Sequence, residues 1–84
     1  MPKPPSLSGK KNLISKNLIK ARLNKGLSQR GLARELQLAG YDMEKNVITR
    51  IETGQRYVTD IELTALSKVL NVRIDVLIED DKEL

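Results

Sequence analysis

The side chains best equipped for chemistry in this 84-residue sequence are Lys45, Asn46, Thr49 and Arg50. They lie in the stretch 44–53, where Val47, Ile48 and Ile51 form an apolar side and leave those four residues on the other. Arg and Lys donate to guanine O6 and N7, and Asn pairs bidentately with adenine N6 and N7. A helix has the width of the DNA major groove, so one that packs with one face reads with the other. Any surface helix also has a polar, solvated face. From residue types alone the two readings stand level.

Other chemistries lack their parts. The chain has no Cys and no His, so disulfides, thiolate nucleophiles, zinc fingers, the commonest general base and the commonest metal ligand are all missing. No clustered carboxylates replace them, so we expect no catalytic residues, no metal, no cofactor and no enzyme. Tyr41 and Tyr57 are the only aromatic residues, too few to stack single-stranded nucleic acid. No apolar run approaches the roughly 18–20 residues that span a bilayer. The proline-rich N-terminus has no apolar signal region. The expectation is a cytoplasmic protein with no membrane partner and no small-molecule site.

Charge is sorted along the chain. Residues 1–35 carry nine basic residues against one acid, Glu35; residues 36–58 carry three of each; residues 59–84 carry three basic residues and seven acids. Such a chain offers a basic surface to a polyanion, although chance sorting of solvated charges gives the same tally. Residues 1–11, MPKPPSLSGKK, cannot bury enough apolar surface to order themselves. They read as a flexible basic segment, either a solubilising end or an arm lying along DNA.

The elements that must position α-helix 44–53 follow from periodicity and caps. A helix over 12–24 is capped by Asn12 and stopped by Gly26, with Ile14, Leu18 and Ala21 on one face and Ile19 and Leu23 on a weaker stripe. Ser28 caps a second helix with Leu32, Ala33 and Leu36 inward, and Leu27, just before the cap, stands at the staple position to Leu32, four residues after the cap. Ala39-Gly40 ends it. The loop 39–44 is expected to set Tyr41 and Met43 into the core, with a DNA contact from Tyr41 as the sharper alternative, and either Asp42 or Glu44 caps the next helix, which Thr53-Gly54 stops. Thr59 and Glu62 spell a capping box for a fourth helix bearing Leu63, Leu66 and Leu70, which Asn71 closes. A short fifth helix over 73–79 carries Ile74, Leu77 and Ile78. There is no strand-like alternation, so the fold class is all-α. A chain of this length buries only about 60–65% of its unfolded surface, which suits a small bundle and no deep cleft.

The order of these segments resembles a known family. RLNKGLSQRGLAREL (22–36), NVITRIETGQR (46–56) and DIELTALSKVLNVRIDVL (60–77) are similar to the Cro/cI-type helix-turn-helix proteins, which include phage repressors and many small bacterial regulators. The resemblance spans residues 13–78, about four-fifths of the chain. It implies a five-helix lambda-repressor-like DNA-binding domain at 13–78, a basic arm at 1–12 and an acidic tail at 79–84. By position it implies base reading by Lys45, Asn46, Thr49 and Arg50, with Val47 against a thymine methyl. It implies phosphate contacts from Gln29, whose side chain would also brace the third helix, from Arg30, Thr53 and Arg56, and from the main-chain amides near Thr53 and Gly54. Arg22 and Glu52 correspond to a structural ion pair between the first and third helices.

The chain departs from the family twice. The stretch between its second and third helices is about five residues longer than the usual turn, so the "turn" is a loop. Gly31 stands where the family more often has an acid. The implied function is a sequence-specific regulator, a repressor, of double-stranded DNA. It would act as a homodimer through Ile74 and Val76 on a near-palindromic operator, with no residues left for an effector domain. The same fold serves antitoxins, whose partner is a toxin, and restriction-system controllers. A protein-interaction module without DNA binding is the other class, and Lys45, Asn46 and Arg50 argue against it.

Overall fold

A computed structural model describes residues 14–79. Asn12, the basic arm and the acidic tail beyond Glu79 lie outside the described residues. The chain folds as five helices: α1 (Ile14–Asn24), α2 (Gln29–Leu38), α3 (Lys45–Glu52), α4 (Asp60–Leu70) and α5 (Ile74–Leu77), with no strand among the described residues.

Local chemistry sets most of the boundaries. Ser28 Oγ accepts the Gly31 amide at 2.9 Å and starts α2. A Cβ on residue 31 would lie 3.2 Å from that Ser28 Oγ, a tight contact, and 3.6 Å from Leu27, an ordinary one. Thr59 and Glu62 form the complete capping box of α4: each side chain binds the other's backbone amide. Gly26 and Gly54 follow α1 and α3 with φ of +76° each, a region costly for residues with a Cβ. Asn71 takes the same left-handed role after α4, at φ +57°.

Two elements are shorter than the periodicity predicts. α5 is a single turn, Ile74–Leu77, not the 73–79 expected. Of its apolar residues only Leu77 is fully buried, while Ile74, Val76 and Ile78 stay exposed. A turn anchored by one core residue has little burial to extend it. α3 is bounded by Glu44 and Thr53 as caps; Glu44, not Asp42, holds the N-cap position, yet its side chain makes no cap hydrogen bond. Six residues, 39–44, separate α2 from α3, exceeding an ordinary three- to four-residue turn by less than the sequence comparison implies. The difference is helical: α2 continues through Gln37 and Leu38 and takes up part of the extra length.

The core joins Ile14, Leu18 and Ala21 of α1, Leu32, Ala33 and Leu36 of α2, Met43 of the loop, Ile48 and Ile51 of α3, Ala65, Leu66 and Leu70 of α4, and Leu77. Met43 is 3% exposed and Tyr41 packs partly against the cluster, so the long loop is pinned at two points. Leu63 is only half-buried and Leu23 is exposed, so the weaker stripe of α1 does not widen the core through Leu23. α3 packs on both α1 and α2, α4 packs on α2, and α5 bridges α1 and α4.

Candidate nucleic-acid interface

α3 presents its polar residues on one side. At 3.6 residues per turn, Lys45, Thr49, Thr53, Asn46 and Arg50 fall within an arc of about 140°. Ile48 and Ile51 fall on the opposite side and Glu52 at the border beside Lys45, and all three are buried. Lys45, Asn46 and Arg50 are exposed, Thr49 within the arc is half-buried, and Val47 is half-buried beyond Arg50. Among the described residues no acid pairs with Lys45, Arg50 or Arg30. The face therefore offers guanidinium, ammonium, amide and hydroxyl groups together, with its cationic heads uncompensated.

A buried polar network sets the pose of α3. Arg22 of α1 forks onto Glu52 of α3, Nε to Oε2 at 2.7 Å and Nη2 to Oε1 at 3.1 Å. Its Nη1 also donates to the Leu27 carbonyl at 2.9 Å, which ties down the α1–α2 turn. Gln29 of α2 donates Nε2 to Glu52 Oε1 at 2.8 Å, and its Oε1 accepts the Thr49 hydroxyl at 2.7 Å. The side chains of Arg22 and Glu52 are 11% and 3% exposed, so the pair is shielded from solvent. Ser15, itself buried, donates to the Ile51 carbonyl at 2.7 Å. Two helices thus grip the last turn of α3, and rotation of the exposed face would break bonds to both.

Past α3 the groups grouped by resemblance as phosphate ligands have other partners. The amides of Thr53, Gly54 and Gln55 donate back to Thr49, Ile51 and Arg50 carbonyls at 3.0, 3.1 and 2.8 Å. The Thr53 hydroxyl, although exposed, donates to the Thr49 carbonyl at 2.8 Å. Arg56 forks onto Glu62, with both contacts at 2.8 Å, and donates to the Tyr57 carbonyl at 3.0 Å. The hydrogen bond to Glu62 raises the Arg56 pKa above its ordinary value, against the opposing effect of burial. Burial disfavours the Glu62 carboxylate, but the bonds from Arg56 and Thr59 outweigh it and hold the carboxyl below its usual value. A phosphate at Arg56 must therefore compete with Glu62. Arg30, exposed on the first turn of α2, has no such rival among the described residues.

Several of these contacts have no signature in the sequence. The Thr49–Gln29 and Ser15–Ile51 bonds join residues 20 and 36 positions apart. Asn17 holds the carbonyls of Leu77 and Glu79 at 2.8 and 2.7 Å, closing the C-terminal end onto α1. A buried serine beside Ile14 is the one clue, since a polar residue on an apolar face needs a partner.

Two helices that lock a third into the bundle with its polar side outward define a class: a helix-turn-helix domain with its second helix turned outward. A helix-turn-helix family model of the Cro/cI type matches residues 18–77, and the chain belongs to that family, whose domains bind double-stranded DNA. A comparison with curated proteins found no match. Among the described residues no helix is long and apolar enough to cross a membrane.

Proposed function

We propose that the chain is a transcriptional repressor that acts in the cytoplasm as a homodimer on a near-palindromic operator. The observation that carries this reading is the outward face of α3, where Lys45, Asn46 and Arg50 are exposed and lack acidic partners among the described residues. In the bound state Lys45, Asn46, Thr49 and Arg50 read base edges and Val47 meets a thymine methyl. Gln29, Arg30, Thr53 and Arg56 set the register on the phosphates. Residues 13–78 form the reading unit, with 1–12 as a phosphate-binding arm and 79–84 as an acidic tail.

One such domain reads few base pairs, which favours a dimer. Ile74 and Val76, each 39% exposed, and Ile78, 43% exposed, give α5 an apolar edge suited to a second copy. The test is selection of binding sites from random double-stranded DNA at about 150 mM salt, where surface electrostatics are not exaggerated. The expected result is a symmetric motif with half-sites about one helical turn apart. Asn46→Ala should change the half-site. No enrichment by a folded helical protein would overturn the proposal.

A further inference from the structure

We infer that Thr49 recognises the exocyclic amino group of a base, N6 of adenine or N4 of cytosine, and that Gln29 is the positioning residue that imposes this choice. The inference rests on the base-reading role proposed for α3. A threonine hydroxyl ordinarily donates or accepts as its partner requires. Here the protein removes that freedom, and the reason begins at Glu52.

An ionised carboxylate only accepts hydrogen bonds. Glu52 Oε1 lies 2.8 Å from the Gln29 amide, so the amide must turn its NH2 group toward it. The flipped amide would set one oxygen against another at that distance with no proton between them. Gln29 Oε1 therefore faces Thr49, whose oxygen is 2.7 Å away. That contact also needs a proton, and only the hydroxyl has one. The other oxygen near the hydroxyl, the Lys45 carbonyl at 3.0 Å, is likewise an acceptor. With either partner the single proton stays within the protein, and the Thr49 oxygen keeps only acceptor capacity for a ligand.

In the major groove the donors are the amino groups of adenine and cytosine; guanine O6 and N7 and thymine O4 all accept. Thr49 lies between Lys45 and Asn46 on the exposed arc of α3. Those neighbours keep their donors for acceptor edges, so α3 reads both polarities of the base code. The buried Arg22–Glu52 pair thus acts beyond the core: through Gln29 it fixes which half of that code Thr49 sees.

The experiment first selects sites with wild-type protein and Thr49→Val, and finds the base pair whose preference the substitution changes. That pair is then rebuilt with purine for adenine, or 2-pyrimidinone for cytosine, either of which lacks the amino group. Wild type and Thr49→Ser should lose roughly 3- to 10-fold in affinity on the analogue, the value of one net hydrogen bond. Thr49→Val should lose nothing further. Circular dichroism checks the fold of each variant, and Thr49→Ala replaces the valine in the same comparison if needed. Gln29→Met frees the hydroxyl to turn and should relax preference at that one base pair; an even loss across the site overturns its role in setting polarity. Equal analogue losses in all variants overturn the proposal. So does a coupled loss only when uracil replaces thymine, which would assign Thr49 to a methyl contact. A Thr49→Val variant that selects the wild-type site overturns this inference alone, whereas no selected site for wild type removes the base-reading role with it.

Discussion

Arg50 and Glu52 stand two residues apart on α3 and answer to different physics. Arg50 is exposed, so truncation removes a hydrogen-bonding fork without disturbing the core. Arg50→Ala should weaken specific binding by about 1–3 kcal/mol and relax preference at one base pair. Titrations against the selected site and against random DNA check this; equal losses on both would remove the base-reading role. Glu52 is the reverse case. Its side chain is 3% exposed and receives donors from Arg22 and Gln29. Glu52→Ala leaves the Arg22 charge shielded and unpaired, so urea unfolding should show a loss of about 3–5 kcal/mol. A loss below 1 kcal/mol would mean that water reaches the guanidinium freely. That Lys45, Asn46 and Arg50 share an exposed side of α3 was legible from helical spacing. That Gln29 braces α3 was implied by the resemblance; that it does so through Thr49 and Glu52 was not legible, because it depends on how two helices cross and no local pattern encodes that.

Helix ends were the most legible features, because caps are local chemistry. Ser28, the Thr59–Glu62 box and Asn71 each act within a few residues of themselves. α5 was misjudged in length because three apolar residues suggested burial that only Leu77 achieves. Arg56 pairs with Glu62 across the α3–α4 loop, a contact that no spacing rule supplies. That pairing has a measurable consequence for α4. Glu62 has its folded-state pKa held below the unfolded value, which is about 4.3. Between the two values the unfolded chain binds more protons, so stability rises with pH there. The contribution of Glu62 is fully present above the unfolded pKa and is lost as pH falls through the folded one. Both side chains are partly solvated, at 15% and 30% exposure, so screening limits what the pair contributes. Glu62→Gln keeps a side chain that can close the capping box but loses the charge, so it should cost up to about 1 kcal/mol at neutral pH and flatten the acid side of the stability profile below about pH 5. Urea midpoints measured from pH 7 downward test this; parallel acid limbs for the two proteins would show that other carboxylates dominate.

Across the whole molecule, the cations available to a polyanion are fewer than the composition suggests. Arg22, Arg56 and Arg73 are each bonded to an acid of the same chain. Among the described residues Arg30, on α2, and Lys45 and Arg50, on α3, have no acidic partner, and the sequence before α1 adds Lys3, Lys10 and Lys11. If the first segment lies along phosphates, its lysines supply a large share of the counterions released on binding. Each neutralised phosphate contributes about 0.9 to the slope of log affinity against log salt. Deleting residues 1–10 removes Lys3 and Lys10, so the slope should fall by up to about 2 per subunit. Because phosphates carry no sequence information, the loss should be even across specific and random DNA and the selected motif should stay the same. A changed motif would instead put the arm in a groove, reading base edges or groove width. An unchanged slope would make it an inert extension and leave the folded domain's own cations to account for all of the electrostatic binding.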